Sequence, residues 1–298
     1  MTYFIIKGIS DIPELQVPIF ILVLIIYLVT LAGNMTILIL VCTKSILHTP
    51  MYFFLGNLSV LDISSSTVTL HKLLINFLSG NNKVSFLGCM AQLYVFASLL
   101  GAELLILTAM SYDRYVAICK PLHYHMIMSG RVCLLLASAC WAWGLLESLP
   151  HVYIISNFSF NGSKVINHFF CDFLPLKQLS CSDTSALELV TFSSGLFHSS
   201  FSMFSTFIPY IFIIVAILRI PSIAGRRKAF YTCSSHLTVV ILLYVTLISQ
   251  YMIPASINSL DSNKFYSLFN TAVVPMLNPL IYSLKNKDVK SALRGKQR

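Results

Sequence analysis

The run Leu15-Gln-Val-Pro-Ile-Phe-Ile-Leu-Val-Leu-Ile-Ile-Tyr-Leu-Val-Thr-Leu-Ala-Gly-Asn-Met-Thr-Ile-Leu-Ile-Leu-Val-Cys-Thr43 contains no Asp, Glu, Lys or Arg. A bilayer core about 30 Å thick needs about 20 apolar residues per helix, so this run is long enough to cross one. Leu189–Leu218, Ala229–Leu260 and Phe265–Leu284 share the property. Ser45–His71, Val84–Tyr112 and Val132–Ser163 are each interrupted by a single acid, Asp62, Glu103 and Glu147 in turn. Unbroken runs of Ile, Leu, Val and Phe lack the short alternating segments of a membrane barrel, so all seven read as helices. The expected fold is an all-α membrane protein, a seven-transmembrane helix bundle with a short amphipathic cytosolic helix at the C-terminus. It forms one domain over residues 1–298.

Composition agrees with that reading. Of 298 residues, 56% are apolar and 10% charged, with a mean hydropathy of +0.79; a soluble domain carries about 25% charged residues. The 20 basic residues against 11 acidic ones give a formal charge of +9. With the amino terminus outside, fourteen of those basic residues fall on the cytosolic face and six on the other. That asymmetry predicts an extracellular amino terminus and a cytosolic carboxyl terminus in a multi-pass plasma-membrane protein. A long extracellular loop is expected at about 152–187 and a cytosolic tail at about 285–298. The first span opens on Ile12-Pro13-Glu14 rather than a basic region with a cleavage site, so the first helix is expected to serve as its own insertion signal. No Cys-x-x-Cys pair, nucleophile elbow, phosphate loop or His-rich metal spacing is present, which argues against an enzyme. The basic residues form no soluble face with stacking aromatics, which argues against nucleic acid. Asn157-Phe-Ser and Asn161-Gly-Ser in the long loop match the N-glycosylation pattern; two further matches, at Asn34 and Asn57, lie inside spans.

Two acids sit deep in the predicted bundle. Asp62 follows Met51 by eleven residues and Glu103 precedes Asp113 by ten, which puts each about 15–16 Å from the cytosolic edge. An intramembrane acid costs on the order of 2.5–3.5 kcal/mol on insertion scales, so both are functional suspects. A bound sodium ion, a shared proton or a hydrogen-bonded packing pair would each account for them, and Asn34 and Asn278 lie at compatible depths. Like charges close together disfavour double ionisation without a cation. A transporter or channel would use the same acids as a coupling-ion site. Glu147, six residues beyond Trp141, reads as structural, with pocket lining as the alternative.

Four segments carry a resemblance. Leu47-His-Thr-Pro-Met-Tyr-Phe-Phe-Leu, Met110-Ser-Tyr-Asp-Arg-Tyr-Val-Ala-Ile-Cys-Lys-Pro-Leu-His-Tyr, Lys228-Ala-Phe-Tyr-Thr-Cys-Ser-Ser-His-Leu-Thr and Pro275-Met-Leu-Asn-Pro-Leu-Ile-Tyr lie in order along nearly the whole chain. Together they resemble the odorant receptors of the rhodopsin-like G-protein-coupled receptor superfamily. His168-Phe-Phe-Cys-Asp and Leu179-Ser-Cys-Ser-Asp-Thr resemble the tetrapod-type branch.

The resemblance implies a receptor that binds a small-molecule odorant, sits in membrane lipid, and activates a heterotrimeric G protein of the stimulatory olfactory type, raising cyclic AMP. It implies coupling and switch roles for Asp113, Arg114, Tyr115, Tyr210, Tyr244, Asn278, Pro279 and Tyr282. Two departures bear on helix mobility, Pro209 where the family commonly has Ser and Val245 where it has Gly. It implies a disulfide between Cys89 and Cys171. No cofactor is expected beyond the sodium ion that the shared depth of Asp62 and Glu103 allows. The family's second loop bridge would use the position of Asn161, so Cys181 is left without that partner. Around the ligand it places Phe96, Leu100, Gly101, Ser194, His198, Leu247, Ile248, Tyr251 and Thr271, a mostly apolar set suited to a small hydrophobic molecule with one hydrogen-bonding group. Phe96 stands in place of the acid of amine receptors and Ala272 in place of the retinal-binding lysine of opsins.

Overall fold

Proline opens the first two helices of the chain. Pro13 and Pro50 occupy first-turn positions, where a missing amide donor costs nothing. In a computed structural model describing residues 3–160, 162–252, 260–285 and 289, seven long helices form one bundle: α1 (Pro13–Thr43), α2 (Pro50–Ser79), α3 (Phe86–Cys119), α4 (Gly130–Ser156), α5 (Ser185–Leu218), α6 (223–252) and α7 (260–285). Six of them are long and apolar enough to cross a membrane, and α7 packs against α1, α2 and α6. The amphipathic carboxyl-terminal helix expected beyond 285 falls almost wholly outside the described residues.

Two helix limits differ from the charge-free runs. α2 continues past His71 and Lys72 to Ser79, stopping where Gly80 takes a left-handed φ of 64°. A lysine near a helix end can carry its ammonium to the polar boundary while its stem stays in lipid, so it need not end the span. α7 starts at Leu260, ahead of the charge-free segment. Three helices contain a π turn, at Thr67–His71 in α2, Ile248–Met252 in α6 and Phe269–Val273 in α7.

α3 is the hub, in contact with α2, α4, α5 and α6. In its most apolar stretch 61% of residues are buried inside the bundle, against 17% for α1, which lies at the periphery. The outer surface is apolar: Leu135, Phe197 and Ile211 are each more than half exposed, as are many like them. Such a surface is compatible with lipid and not with water, and the chain is a multi-pass membrane protein. α3 and α4 approach so closely that a Cβ on Gly144 would stand 2.3 Å from the Ser98 carbonyl oxygen and 2.8 Å from the Ala102 nitrogen. Small residues are what allow helices this contact. Beside it the Ser98 and Ser148 hydroxyls share a 2.6 Å hydrogen bond.

A small sheet caps the amino-terminal end of the bundle, an addition to the all-helical expectation. β1 (Tyr3–Ile6) is central, antiparallel to β2 (Lys83–Ser85) and parallel to β3 (Val165–Ile166) of the long loop. Phe4 and Ile6 point inward and are fully buried with Cys89, Phe160 and Cys171. The cysteines Cys89 and Cys171 are bridged, with Cα atoms 5.5 Å apart. Cys181 is exposed and unbridged. Where the family's second bridge would close the loop, the Cys181 amide donates to the Ser159 carbonyl at 2.9 Å and the Ser159 amide to the Ser182 hydroxyl at 2.8 Å. Asn161 itself lies outside the described residues; Asn157 is exposed at the end of α4.

Candidate functional site

A cavity of about 430 Å³ opens at the capped end of the bundle, between α3, α4, α5, α6 and the short loop helix Phe173–Leu179. This volume is in the range of small-molecule sites. Eight of the nine residues the resemblance placed around a ligand border it: Phe96, Leu100, Gly101, Ser194, His198, Leu247, Ile248 and Tyr251. Thr271 does not. It sits inside the π turn of α7, fully buried, with its hydroxyl bonded to the Ser267 carbonyl and its own carbonyl accepting from Ser66 of α2. A π turn adds a residue without a matching advance in rotation, so a position that faces the cavity on a regular helix turns away from it.

The acid read as structural does line the cavity. The Glu147 Oε2 accepts from Trp143 Nε1 at 3.1 Å and also bonds His198 Nδ1, joining α4 to α5. Close by, His151 Nδ1 lies 3.1 Å from the Glu147 carbonyl and His151 Nε2 3.0 Å from the Ser194 hydroxyl. At the mouth Lys177 pairs with Glu188 at 2.8 Å.

The loop over the cavity is tied to α6 by a buried acid. Asp172, next to the bridged Cys171, has no exposed surface. It accepts from the Phe173 amide at 2.8 Å, Gln250 Nε2 at 3.1 Å and the Tyr251 hydroxyl at 3.2 Å. Burial pushes its carboxyl up to about 6 even against those bonds, which favour the charged form. Gln250 also donates to Ser267 and accepts from Asn270, which bonds Thr246, while His168 Nε2 lies 3.2 Å from Ser267. Burial, helped by Lys264, pulls the His168 imidazole down to about 3. The network therefore spans the π turns of α6 and α7. Asp172 and His168 had been visible only as part of a family signature.

A second, smaller cavity of about 300 Å³ lies between the amino-terminal segment, α1 and α2. Asn76 borders it, buried, with neither amide atom hydrogen-bonded among the described residues.

At the opposite end of the bundle Asp113 is fully buried. It accepts from Arg114 at 2.6 and 3.1 Å and from the Tyr124 hydroxyl at 2.8 Å. Burial and the neighbouring carboxylate hold that phenol well above its ordinary range. Tyr210 of α5 bonds His236 Nδ1 of α6 at 2.6 Å, with the two rings stacked; His236, within the Lys228-to-Thr238 motif, had not been singled out. Tyr115 packs edge-on against Phe212. Tyr244 and Tyr282 are buried in the core shared by α2, α3, α6 and α7.

Midway between these ends, Asn278 Nδ2 donates to both Asp62 carboxylate oxygens at 3.0 Å. Glu103 lies within electrostatic reach of Asp62 without a hydrogen bond to it, and Glu103 Oε1 and Asn278 Oδ1 are buried without a hydrogen-bond partner among the described residues. Pro279, one residue on, is covered by Gly33 of α1, where a Cβ would stand 2.8 Å from the proline ring.

A central third helix, a disulfide-tethered loop over a cavity and an Asp-Arg-Tyr cluster at the far end define a rhodopsin-like receptor. The fold overlays squid rhodopsin with a TM-score of 0.69, covering 96% of this chain and 82% of that one at 16% identity. The family described as olfactory receptor matches residues 23–295, and the chain belongs to it. Similar proteins include olfactory receptor 8U3 of Mus musculus, 48% identical over 97% of this chain and 91% of that protein. Olfactory receptor 8D1 of Homo sapiens is 48% identical over 98% and 94%. The protein is an odorant-activated G-protein-coupled receptor and not an enzyme, and family membership disfavours the transporter alternative.

Proposed function

We propose that the chain lies with its amino terminus outside the cell and takes a small, mostly apolar odorant into the cavity beneath the bridged loop. The observation that carries this reading is the convergence of eight expected ligand residues on one cavity of about 430 Å³. Ligand contacts with α5 and α6 shift an equilibrium between two helix arrangements, and a ligand moves such an equilibrium only by its difference in affinity for the two. In the resting arrangement Arg114 is held by Asp113, and Tyr210 by His236. Activation frees Arg114 and Tyr210 to meet a stimulatory olfactory G protein, and cyclic AMP rises. Pro279, which removes a backbone donor inside α7, lets the inner end of that helix move with Tyr282, and Tyr244 couples the cavity floor to that movement.

The buried acids support a cation at mid-depth. Asp62, Glu103 and the Oδ1 of Asn278 form an all-oxygen donor set suited to a hard ion such as sodium, and an ion there would favour the resting arrangement. A shared proton would itself be a hydrogen bond between the two acids, and none joins them among the described residues, so the cation is the better-supported reading. N-linked glycan at Asn157 and Asn161 completes the outer surface.

The experiment is a broad odorant panel on cells expressing the chain, read as cyclic AMP and as membrane current. Odorant-evoked cyclic AMP that vanishes in Arg114→Ala at unchanged surface level is the expected result. Cyclic AMP preserved in that variant, or ion flux through the protein itself, would contradict the mechanism.

A further inference from the structure

The inner and outer halves of the seam between α5 and α6 are built differently. In the inner half the helices touch: Tyr210 bonds His236, Phe207 packs on Tyr244 with ring centroids 5.9 Å apart, and Ile213 is fully buried in a cluster with Cys233, against which Leu237 packs. Helical spacing carries the same faces outward. Gly195 precedes Ile213 by eighteen residues, about five turns, and Phe192 stands in the same relation to Tyr210; Ile248 follows Leu237 by eleven, about three turns. Packed as in the inner half, these positions would be covered too. Instead Phe192 is 64% exposed and Ile248 43%, against 4% for Tyr210, and a Cβ on Gly195 would meet no described atom within 4 Å. All three border the main cavity. The two helices, closed at Tyr210, have parted at Gly195.

The end of the cavity that faces water is held more firmly. Lys177 of the short loop helix pairs with Glu188 of α5, and Asp172 ties the loop to Gln250 and Tyr251 of α6. An apolar molecule is also scarce on that side. Each methylene enriches it about fourfold in lipid over water, so a chain of several carbons reaches the receptor dissolved in the bilayer. The surface beside the gap suits such an approach: Leu196, the neighbour of Gly195, and Val245, one turn before Ile248, are exposed and apolar.

We propose that the gap between α5 and α6 at Phe192, Gly195 and Ile248 is the entrance to the cavity, and that it admits neutral apolar molecules sideways from the bilayer. The inference rests on the proposed odorant cavity and supplies its route of access. Charged molecules, which the bilayer core excludes, do not reach this entrance.

The test places a thiol on the α3 wall of the cavity, Ala97→Cys, in the full chain in lipid nanodiscs. Two reagents probe it: benzyl methanethiosulfonate, neutral and lipid-soluble, and its trimethylammonioethyl analogue, charged and confined to water. Each rate is read by peptide mass spectrometry and normalised to that of the exposed Cys181. The benzyl reagent should modify the introduced thiol faster by on the order of tenfold or more. Gly195→Leu, which fills the gap, should slow that reaction severalfold, and Phe192→Ala, which widens it, should speed it. Glu188→Gln, which loosens the mouth, should leave it unchanged. Equal normalised rates for the two reagents, a rate that follows Glu188→Gln rather than the α5 variants, or no modification by the benzyl reagent would each overturn the inference; Phe192→Ala decides the matter if Gly195→Leu does not fold. Entry through the gap without any odorant-evoked cyclic AMP would sustain the entrance and sink the odorant reading. Odorant-evoked cyclic AMP with entry through the mouth would do the reverse.

Discussion

Replacing Asp172 with Asn removes a charge from the buried junction of loop and α6 while keeping its shape. The carboxyl titrates at about 6 in the folded protein against an ordinary 3.8, so the folded state binds this proton more tightly than the unfolded chain. Its contribution to stability therefore rises as the pH falls, by about 1.3 kcal/mol between pH 7 and pH 5. His168 acts in the opposite sense. Its folded value is about 3 against 6.5, so the unfolded chain takes up the proton first, and about 1.9 kcal/mol is lost over the same interval. The imidazole outweighs the carboxyl, leaving this pair a net loss of about 0.6 kcal/mol on acidification. In Asp172→Asn the compensating gain is gone, so its loss from pH 7 to pH 5 should exceed that of wild type by about 1.3 kcal/mol. At 2–4 °C per kcal/mol, that is about 3–5 °C in Tm. His168→Gln should turn the pair's loss into a gain. The assay is thermal unfolding in nanodiscs at both pH values for all three proteins in parallel, where histidines common to each cancel in the comparison. An Asp172→Asn protein with the same Tm difference as wild type would refute the buried-carboxyl argument.

Three further outcomes are expected. Gly144→Ala should cost about 1–3 kcal/mol of stability, because its Cβ meets the Ser98 backbone, whereas Gly195→Ala, with nothing within 4 Å, should be neutral or stabilising; equal Tm values for the two would undo the α3–α4 packing argument. Cys171→Ser should lose folded receptor, on a scale of about 2–5 kcal/mol, while Cys181→Ser is tolerated, and non-reducing peptide mapping that links Cys89 to Cys181 would reverse the assignment. A double-mutant cycle of Asp62→Asn with Glu103→Gln, measured as Tm with and without sodium chloride, should depart from additivity by about 0.5 kcal/mol or more; plain additivity in both salts would separate the two acids into independent sites.

The helices were legible because a lipid solvent admits few charges, so charge-free runs such as Leu15–Thr43 mark spans almost directly. Their ends were less so, since Lys72 can reach the boundary and lets α2 run on to Ser79. The cap was not legible: β1 pairs with strands of three and two residues from distant parts of the chain, too short to carry a pattern. Most of the cavity followed from helix register within the family. Thr271 did not, because a π turn within α7 alters that register locally. The union of Glu147 with His198 is set by three-dimensional approach at Gly101 and Gly144, across 51 positions of chain, and no local pattern encodes it.

The central claim is that an odorant occupies the cavity under the bridged loop. A photoreactive diazirine analogue of an agonist, bound to the full-length receptor, irradiated and mapped by peptide mass spectrometry, tests it most directly. The account predicts label on the α3 segment around Leu100 and the α5 segment around His198, suppressed by excess agonist. Competable label confined to the smaller cavity, between the amino-terminal segment and Asn76 of α2, would contradict it.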